Sequence, residues 1–229
     1  MTTVTIVKKN GMAAIAADSM TKWGSGKETA EYVVNHHKIV RVGDTYMALT
    51  GAASAKVIFK DHFAKAKQKN ARFDTVDHIF QAWLGLHTAM KETYFLNPSG
   101  DDEDEFETTR VDVAIANAHG IFGVAQHRDV QEYSKFYALG SGYPYALGAM
   151  FTVYDDPDKS AEEIARIGVQ ASGEFDDSTG LPIFSYSIPL IGKEGGKEIG
   201  KDGEEAETSP PLILTKPSRP RTSKKREGK

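Results

Sequence analysis

The chain begins with a stretch in which apolar and polar side chains alternate. Val4 and Ile6 alternate with threonines over residues 3–7, a period of two that is typical of a strand. Asn10-Gly11 then provides a strong two-residue signal for a hairpin turn. The small apolar run of residues 12–17 predicts the returning strand, buried on both faces. The N-terminal stretch therefore predicts an antiparallel strand pair.

Further alternating runs and helical stripes follow along the chain. Strands are predicted over residues 38–42, 45–50, 111–115, 121–125, 135–139 and 182–188. Residues 172–180, between the last helix and the last strand, are predicted to form a polar loop. Helices are predicted over residues 54–69, from about 75, after 145, and from a capping box at Ser160 and Glu163. This order of strands and paired helices suits two packed sheets with a helical layer outside each.

Composition restricts the possible chemistry. The 229 residues contain no Cys, which excludes thiolate catalysis, disulfides and Cys-type zinc sites. The net charge of −4 gives no indication of nucleic-acid binding. No apolar run is long enough for a membrane span, and the N-terminus lacks the apolar core of a signal peptide. We therefore expect a cytoplasmic protein that binds neither membranes nor nucleic acid.

The composition changes near residue 190. Residues 191–229 carry ten Lys/Arg and seven Asp/Glu, with repeated Gly and Pro and almost no aromatic side chains. Such a segment cannot bury enough apolar surface to offset the entropy of ordering it. We expect one folded domain over residues 1–190 and a disordered charged tail over residues 191–229.

Thr2 is the first candidate for chemistry. Its small side chain permits removal of Met1, and Thr2 would then carry a hydroxyl and a free α-amine in one residue. An unperturbed α-amine has a pKa of about 7.7–8.0, so it is partly neutral near pH 7 and can accept the hydroxyl proton. Many chains begin with Met-Thr for no chemical reason, so the case depends on other residues.

Three further positions combine suitable residue types with suitable locations. Asp18 directly follows a buried strand, where it is either a turn residue or a positioned charge. Gly51 opens a small-residue junction between a strand and a helix, which either presents backbone N–H groups or simply packs closely. Ser141 lies between two glycines at a second such junction and could be a catalytic or positioning group. Turn and packing roles remain the alternative for all of them.

The order of these pieces resembles a known family. The Met-Thr-Thr-Val start, Ala16-Ala17-Asp18, the run 38–42, Gly51, and the run 140–145 together resemble a proteasome β-type subunit. The resemblance is to the bacterial branch, the HslV protease and nearer still the proteobacterial proteasome homologue, and it covers residues 2–188. It implies an α+β fold, a four-layer αββα sandwich of the N-terminal-nucleophile hydrolase type, assembled into stacked rings.

The resemblance also implies roles for the candidate residues. Thr2 would be the nucleophile, with Lys38 beside it lowering the proton affinity of the amine and Asp18 holding Lys38. The Gly51 N–H would face the oxyanion, and Ser141 would hydrogen-bond near the amine. A second carboxylate falls within the run 174–178, where we assign Asp176.

The resemblance further implies a substrate pocket. Its expected lining is mostly apolar or neutral, which predicts a preference for apolar side chains on the acyl side of the cut; the residues are Thr21, His36, Val40, Leu49 and Ala53. The stretch between Asp18 and Lys38 is longer than the family usually has and could reshape this cleft.

The expected function is hydrolysis of peptide bonds in unfolded proteins by a threonine-type endopeptidase inside a ring of identical subunits. No cofactor or metal is required for that chemistry, and an ATP-dependent unfoldase is a possible partner. Two alternatives stay open: an amidohydrolase acting on small amides with the same nucleophile, or an inactive ring-forming subunit if Met1 is retained.

Overall fold

The fold is built from strands and helices in alternating groups. The computed structural model describes residues 2–65, 70–98 and 105–192. In chain order the described elements are β1 (Thr3–Lys9), β2 (Met12–Ala17), β3 (Thr21–Trp23), β4 (Gly26–Glu28), β5 (Ile39–Val42), β6 (Thr45–Leu49), α1 (Ala55–Ala64), α2 (Val76–Glu92), β7 (Val113–Asn117), β8 (Gly120–Val124), β9 (Val130–Tyr133), β10 (Phe136–Gly140), α3 (Tyr143–Val153), α4 (Ala161–Phe175) and β11 (Phe184–Pro189).

The strands form two main antiparallel sheets and a small separate hairpin. One sheet has the order β10-β1-β2-β11 and the other has the order β5-β6-β7-β8-β9; among the described strands, β3 pairs with β4 alone. Strand β1 lies inside its sheet, with Thr3 opposite Gly140 of β10 and Val4 opposite Ala17 of β2. The start of the chain therefore meets the ends of two neighbouring strands.

Three apolar clusters separate four layers of structure. The first joins α1 and α2 to the five-stranded sheet, with Phe59 and Trp83 fully buried. The second fills the space between the two sheets and includes Ile6 and Ile121. The third joins the four-stranded sheet to α3 and α4 through residues such as Ile164. The predicted four-layer αββα sandwich is confirmed.

Strand β1 is buried on both faces. Val4 and Ile6 enter the cluster between the sheets, whereas Val7 enters the cluster under α3 and α4. Thr5 lies on the helix side, where its hydroxyl donates to the carbonyl of Ala165 at 2.8 Å. A polar side chain is accommodated there because its hydrogen bond is made within the protein.

Several element boundaries differ from the sequence predictions. Helix α4 continues to Phe175, although residues from Ser172 onward were predicted to form a polar loop. Ser172 is fully buried because its hydroxyl donates to the carbonyls of Gly142 and Gly168, which satisfies it inside the helix. Helix α1 ends at Ala64, before the predicted end, and residues 66–69 lie outside the described residues.

Backbone hydrogen bonds continue beyond β11 in the last described residues. The N–H of Leu190 donates to Gly11, and that of Ile191 donates to Ala118, each at 2.8 Å. These backbone hydrogen bonds extend one residue past the predicted boundary at residue 190. The predicted tail from residue 193 onward lies outside the described residues. Among the described helices, none combines the length and the apolar character needed to cross a membrane.

Candidate active site

A buried ion pair joins the two sheets beside the start of the chain. Asp18 follows β2 of one sheet, and Lys38 precedes β5 of the other. The Nζ of Lys38 lies 2.7 Å from Oδ1 of Asp18, and the two side chains are 10% and 0% exposed. The ion pair is therefore shielded from water, and it lies where strand ends of the two sheets meet.

The Asp18 carboxylate is held by backbone donors as well as by Lys38. It accepts N–H groups of Thr3 at Oδ1 and of Met20 and Gly180 at Oδ2, each at 3.1 Å. Burial raises the pKa of Asp18 and lowers the pKa of Lys38, because both charged forms lose water, while the attraction between the two charges opposes both shifts. Asp176 adds a further attraction on the charge of Lys38.

The peptide unit between Thr2 and Thr3 is held at both ends. The carbonyl of Thr2 accepts the backbone N–H of Ser141 at 3.0 Å, and the N–H of Thr3 donates to Asp18. Thr2 itself is only 5% exposed. Two of the predicted site residues thus fix the backbone that carries a third.

A second hydrogen-bond network continues from Ser141. Its hydroxyl donates to Oδ2 of Asp176 at 2.7 Å, and the same oxygen accepts the hydroxyl of Thr179 at 2.6 Å. Because Thr179 uses its proton on Asp176, the hydroxyl of Thr3 is the donor in the 2.6 Å contact between the two threonines. The structure therefore brings together Ser141 and Asp176, which are far apart in the sequence. Thr179 belongs to this network and was missed.

Glycines on both sides of Ser141 make these close contacts possible. Gly140 has a φ of +96°, and an added Cβ would lie 1.8 Å from the carbonyl oxygen of Thr2. At Gly142 an added Cβ would lie 2.3 Å from Oγ1 of Thr3. The pair of glycines thus lets the strand-to-helix junction touch the N-terminal strand directly.

A cavity of about 60 Å³ opens beside Thr2, and Lys38 and Gly51 also line it. Gly51 has a φ of +97° and packs against the carbonyl of Arg110, from which an added Cβ would be only 2.5 Å away. The remaining lining residues are Thr21, His36, Leu49, Ala52, Ala53 and Lys56. The predicted hydroxyl, cation and oxyanion donor therefore share one cavity.

Four of the five predicted pocket residues line this cavity, and Val40 does not. Val40 is 1% exposed and packs in the cluster under α1, because successive side chains of β5 point to opposite faces of the sheet. Lys56 was missed: it is on α1, and its ammonium donates to the carbonyl of Asn35 in the loop before Lys38. A helix periodicity with Ala55 and Phe59 buried could have indicated that Lys56 faces sideways.

The described residues contain no group of three or more His, Asp or Glu side chains that could hold a metal ion. The groups brought together at the candidate site are hydroxyl groups, a buried ion pair and backbone N–H groups.

Comparisons with known proteins give one clear result. No family model matches the chain, and no curated protein matches it. Among solved structures, the chain is similar to BPH, the bacterial proteasome homologue, of Thiobacillus denitrificans, with 55% identity and a TM-score of 0.78 over 82% of this chain and 98% of that one. The same protein solved in complex with epoxomicin shows 54% identity and a TM-score of 0.77 over the same shares.

A more distant structure supports the fold alone. HslV from Trypanosoma brucei has 16% identity and a TM-score of 0.60, over 82% of this chain and 99% of that chain. Together with the four layers and the site at the start of β1, these similarities define an N-terminal-nucleophile hydrolase fold. The chain belongs to the bacterial branch of the proteasome β-type superfamily, a group of ring-forming hydrolases of the peptidase type.

Proposed function

We propose that this protein is a threonine-type endopeptidase with Thr2 as its nucleophile after removal of Met1. The observation that carries the proposal is the position of Lys38, which lines the cavity together with Thr2 and is held by the buried Asp18. A fixed positive charge beside an N-terminal amine favours the neutral amine, which is the form that can accept a proton.

The first chemical step is attack on a substrate carbonyl. The hydroxyl oxygen of Thr2 bonds to the carbonyl carbon while its proton passes to the α-amine. The N–H of Gly51, at the rim of the same cavity, donates to the oxygen that becomes negative. The C–N bond then breaks, the leaving amine takes the proton from the ammonium of Thr2, and an ester on Thr2 remains.

The second step is hydrolysis of that ester. The amine of Thr2, neutral again, removes a proton from water while the water oxygen bonds to the acyl carbon. The bond between that carbon and the threonine oxygen then breaks. The proton returns to the threonine oxygen, so the site is regenerated and the acid product leaves. Ser141 and Asp176 act as positioning residues in both steps, because their network holds the backbone on which Thr2 is carried.

The proposed substrates are unfolded polypeptides in the cytoplasm. Membership of a ring-forming family supports an assembly of identical subunits around an inner chamber, which restricts access to extended chains. An ATP-dependent unfoldase is the partner that would deliver folded proteins to such a chamber. A small-molecule amidohydrolase has no need of this restriction, so chamber formation separates the two functions.

The intact mass of the purified protein tests the nucleophile directly. We expect a mass lower by one methionine, and hydrolysis of unfolded protein that is lost in Thr2→Ala and partly kept in Thr2→Ser. Loss of a covalent nucleophile lowers the rate by several orders of magnitude. Peptide cleavage by protein that retains all of its Met1 would rule out this mechanism, and activity on small amides alone would favour the amidohydrolase.

A further inference from the structure

The side of the cavity beside α1 carries an unexpected ammonium group. Lys56 lies one residue after the start of α1, and its side chain lines the cavity that contains Thr2. Its Nζ donates to the carbonyl of Asn35 and is held there across the gap between the helix and the loop before Lys38. This hydrogen bond to a neutral carbonyl fixes the position of the charge without cancelling it.

The surroundings of Lys56 are positive. Among the described residues that line the cavity there is no Asp or Glu, whereas Lys38 lines it as well. The pKa of Lys56 is lowered by burial and then by the charges of Lys60 and Lys38. The pKa of the neighbouring His37 is lowered in the same way, first by burial and then by positive groups that include Lys56. Burial is the main cause of both shifts, and the neighbouring cations act in the same direction.

Lys38 differs from Lys56, because the charge of Lys38 is already matched by Asp18 at 2.7 Å. Lys56 has no such match among the described carboxylates, and it is the second cation of the cavity. Ala53 lines the same cavity, and its small side chain leaves room there. A ligand carboxylate that enters the cavity can therefore accept a charge-assisted hydrogen bond from the ammonium of Lys56.

We propose that the cavity is a subsite for acidic side chains, so that the protein cleaves on the carboxyl side of glutamate or aspartate, with Lys56 determining this specificity. This inference rests on the proposed peptidase function and names its substrate class. It replaces the expectation of apolar side chains, which assumed Val40 in the lining and lacked Lys56.

The test compares peptides that differ only in charge. Glutamate and glutamine have the same shape, so two fluorogenic peptides that differ at the acyl-side residue isolate the contribution of the carboxylate. We expect the ratio of kcat/KM for the glutamate peptide over the glutamine peptide to be about tenfold or more in the wild type, equivalent to about 1.4 kcal/mol. This ratio should fall to about one in Lys56→Met. In Lys56→Glu, a peptide with lysine at the acyl-side residue should be cleaved faster than the glutamine peptide.

Lys60→Met is the matched control, because Lys60 is exposed on the same helix and does not line the cavity. It should leave the ratio unchanged within about twofold. A ratio near one in the wild type, or one that Lys56→Met does not alter, would overturn the inference.

Binding separates this inference from the proposed function. Acetylated tripeptide amides ending in glutamate or glutamine are titrated calorimetrically into wild type, Lys56→Met and Thr2→Ala. Tighter binding of the glutamate amide, lost only in Lys56→Met, supports the acidic subsite even if the protein hydrolyses nothing. Equal binding of the two amides by the wild type rejects the subsite even if both peptides are cleaved.

Discussion

Gly140 lies directly beneath the carbonyl of Thr2. A Cβ at residue 140 would be 1.8 Å from that oxygen, and residues other than glycine rarely adopt a φ of +96°. The next N–H along the chain, that of Ser141, donates to the same oxygen at 3.0 Å. The end of β10 is therefore shaped to support the residue that we propose as nucleophile.

Replacing this glycine should disturb the site more than the fold. In Gly140→Ala we expect Thr2 to be displaced and kcat to fall by at least about a hundredfold, since misplacing reacting atoms by about 1 Å has such effects. We also expect a lower melting temperature. The control is Gly148→Ala in α3, where an added Cβ meets nothing within 4 Å. That change should stabilise the helix by about 0.5–1 kcal/mol and leave hydrolysis intact. Comparable activities of the two variants would contradict the prediction.

The ion pair between Asp18 and Lys38 should be coupled in both stability and activity. Lys38→Met leaves a buried carboxylate with three backbone donors and no cation, and breaking a buried pair costs about 3–5 kcal/mol. The double variant Lys38→Met with Asp18→Asn removes both charges and should recover part of that loss. Urea unfolding of the wild type, Lys38→Met, Asp18→Asn and the double variant, all at one protein concentration, measures the coupling.

Hydrolysis should nevertheless stay low in that double variant, because the ammonium of Lys38, which favours the neutral amine of Thr2, is gone. We expect kcat at least about a hundredfold below wild type in every variant without Lys38. Turnover close to wild type in Lys38→Met would refute the electrostatic role, whatever its stability.

Asp176 should matter through Ser141. In Asp176→Asn the side chain is neutral, so its oxygen accepts weaker hydrogen bonds from Ser141 and Thr179 than the charged carboxylate does, and its attraction on the charge of Lys38 is lost. We expect kcat to fall about tenfold to a hundredfold, with KM little changed. Glu174→Gln, an exposed change two residues earlier, serves as the control and should be neutral. Equal kinetics for the two variants would remove Asp176 from the site.

The contact between Lys22 and Asp177 should make stability depend on acid pH. Hydrogen bonds from Lys22 and then Ser178 hold the pKa of Asp177 below its ordinary 3.8. A carboxyl with a lower pKa in the folded state stabilises the protein fully above 3.8, and this stabilisation is lost as pH falls through the folded pKa. Wild type should therefore melt slightly above Asp177→Asn at pH 7, and the difference should shrink as the pH falls below 3.8.

Thermal melting at several pH values checks this dependence, with exposed Asp158→Asn as the control. The advantage of the wild type should also shrink at high salt, because the pair is partly exposed. An advantage that grows toward acid pH would have the wrong sign for this interaction.

Removal of residues 193–229 should leave folding, ring assembly and peptide hydrolysis unchanged. The last backbone hydrogen bond among the described residues is that of Ile191, so this truncation removes none of those described. Size-exclusion chromatography and a peptide assay on the shortened protein measure the result. A monomeric or inactive product would show that the segment contributes to the assembly.

Much of the fold was predictable because its signals are local. The Asn10-Gly11 turn adopts positive φ at both residues, 50° and 72°, as a two-residue hairpin requires. The capping box at Ser160 is present with both of its hydrogen bonds. The hairpin of β3 and β4 gave no such signal, because its strands are three residues long and half-buried or exposed. Short strands have too few positions for a period to be visible.

The site was only partly predictable, because it depends on side-chain direction. The order of motifs indicated Lys38 and Asp18, but it could not indicate which face of β5 Val40 occupies, since one residue of register exchanges the faces. Helix periodicity could indicate that Lys56 faces sideways from α1, but not that its ammonium bonds to the carbonyl of Asn35 beside the cavity. Asp176 could be restricted only to a short acidic run until the end of α4 was known.

The two unlike faces of β1 have a practical consequence for engineering. A slip of one residue would place threonine hydroxyls between the sheets and leave the carbonyl of Ala165 without its donor, so the register of this strand is fixed by the core. Residues that shape the cavity entrance, such as His36 and Lys56, come from a loop and a helix edge outside the strand. A mutant library confined to positions 21–37 and 53–56 can therefore retarget cleavage while the attacking oxygen stays where the sheet holds it.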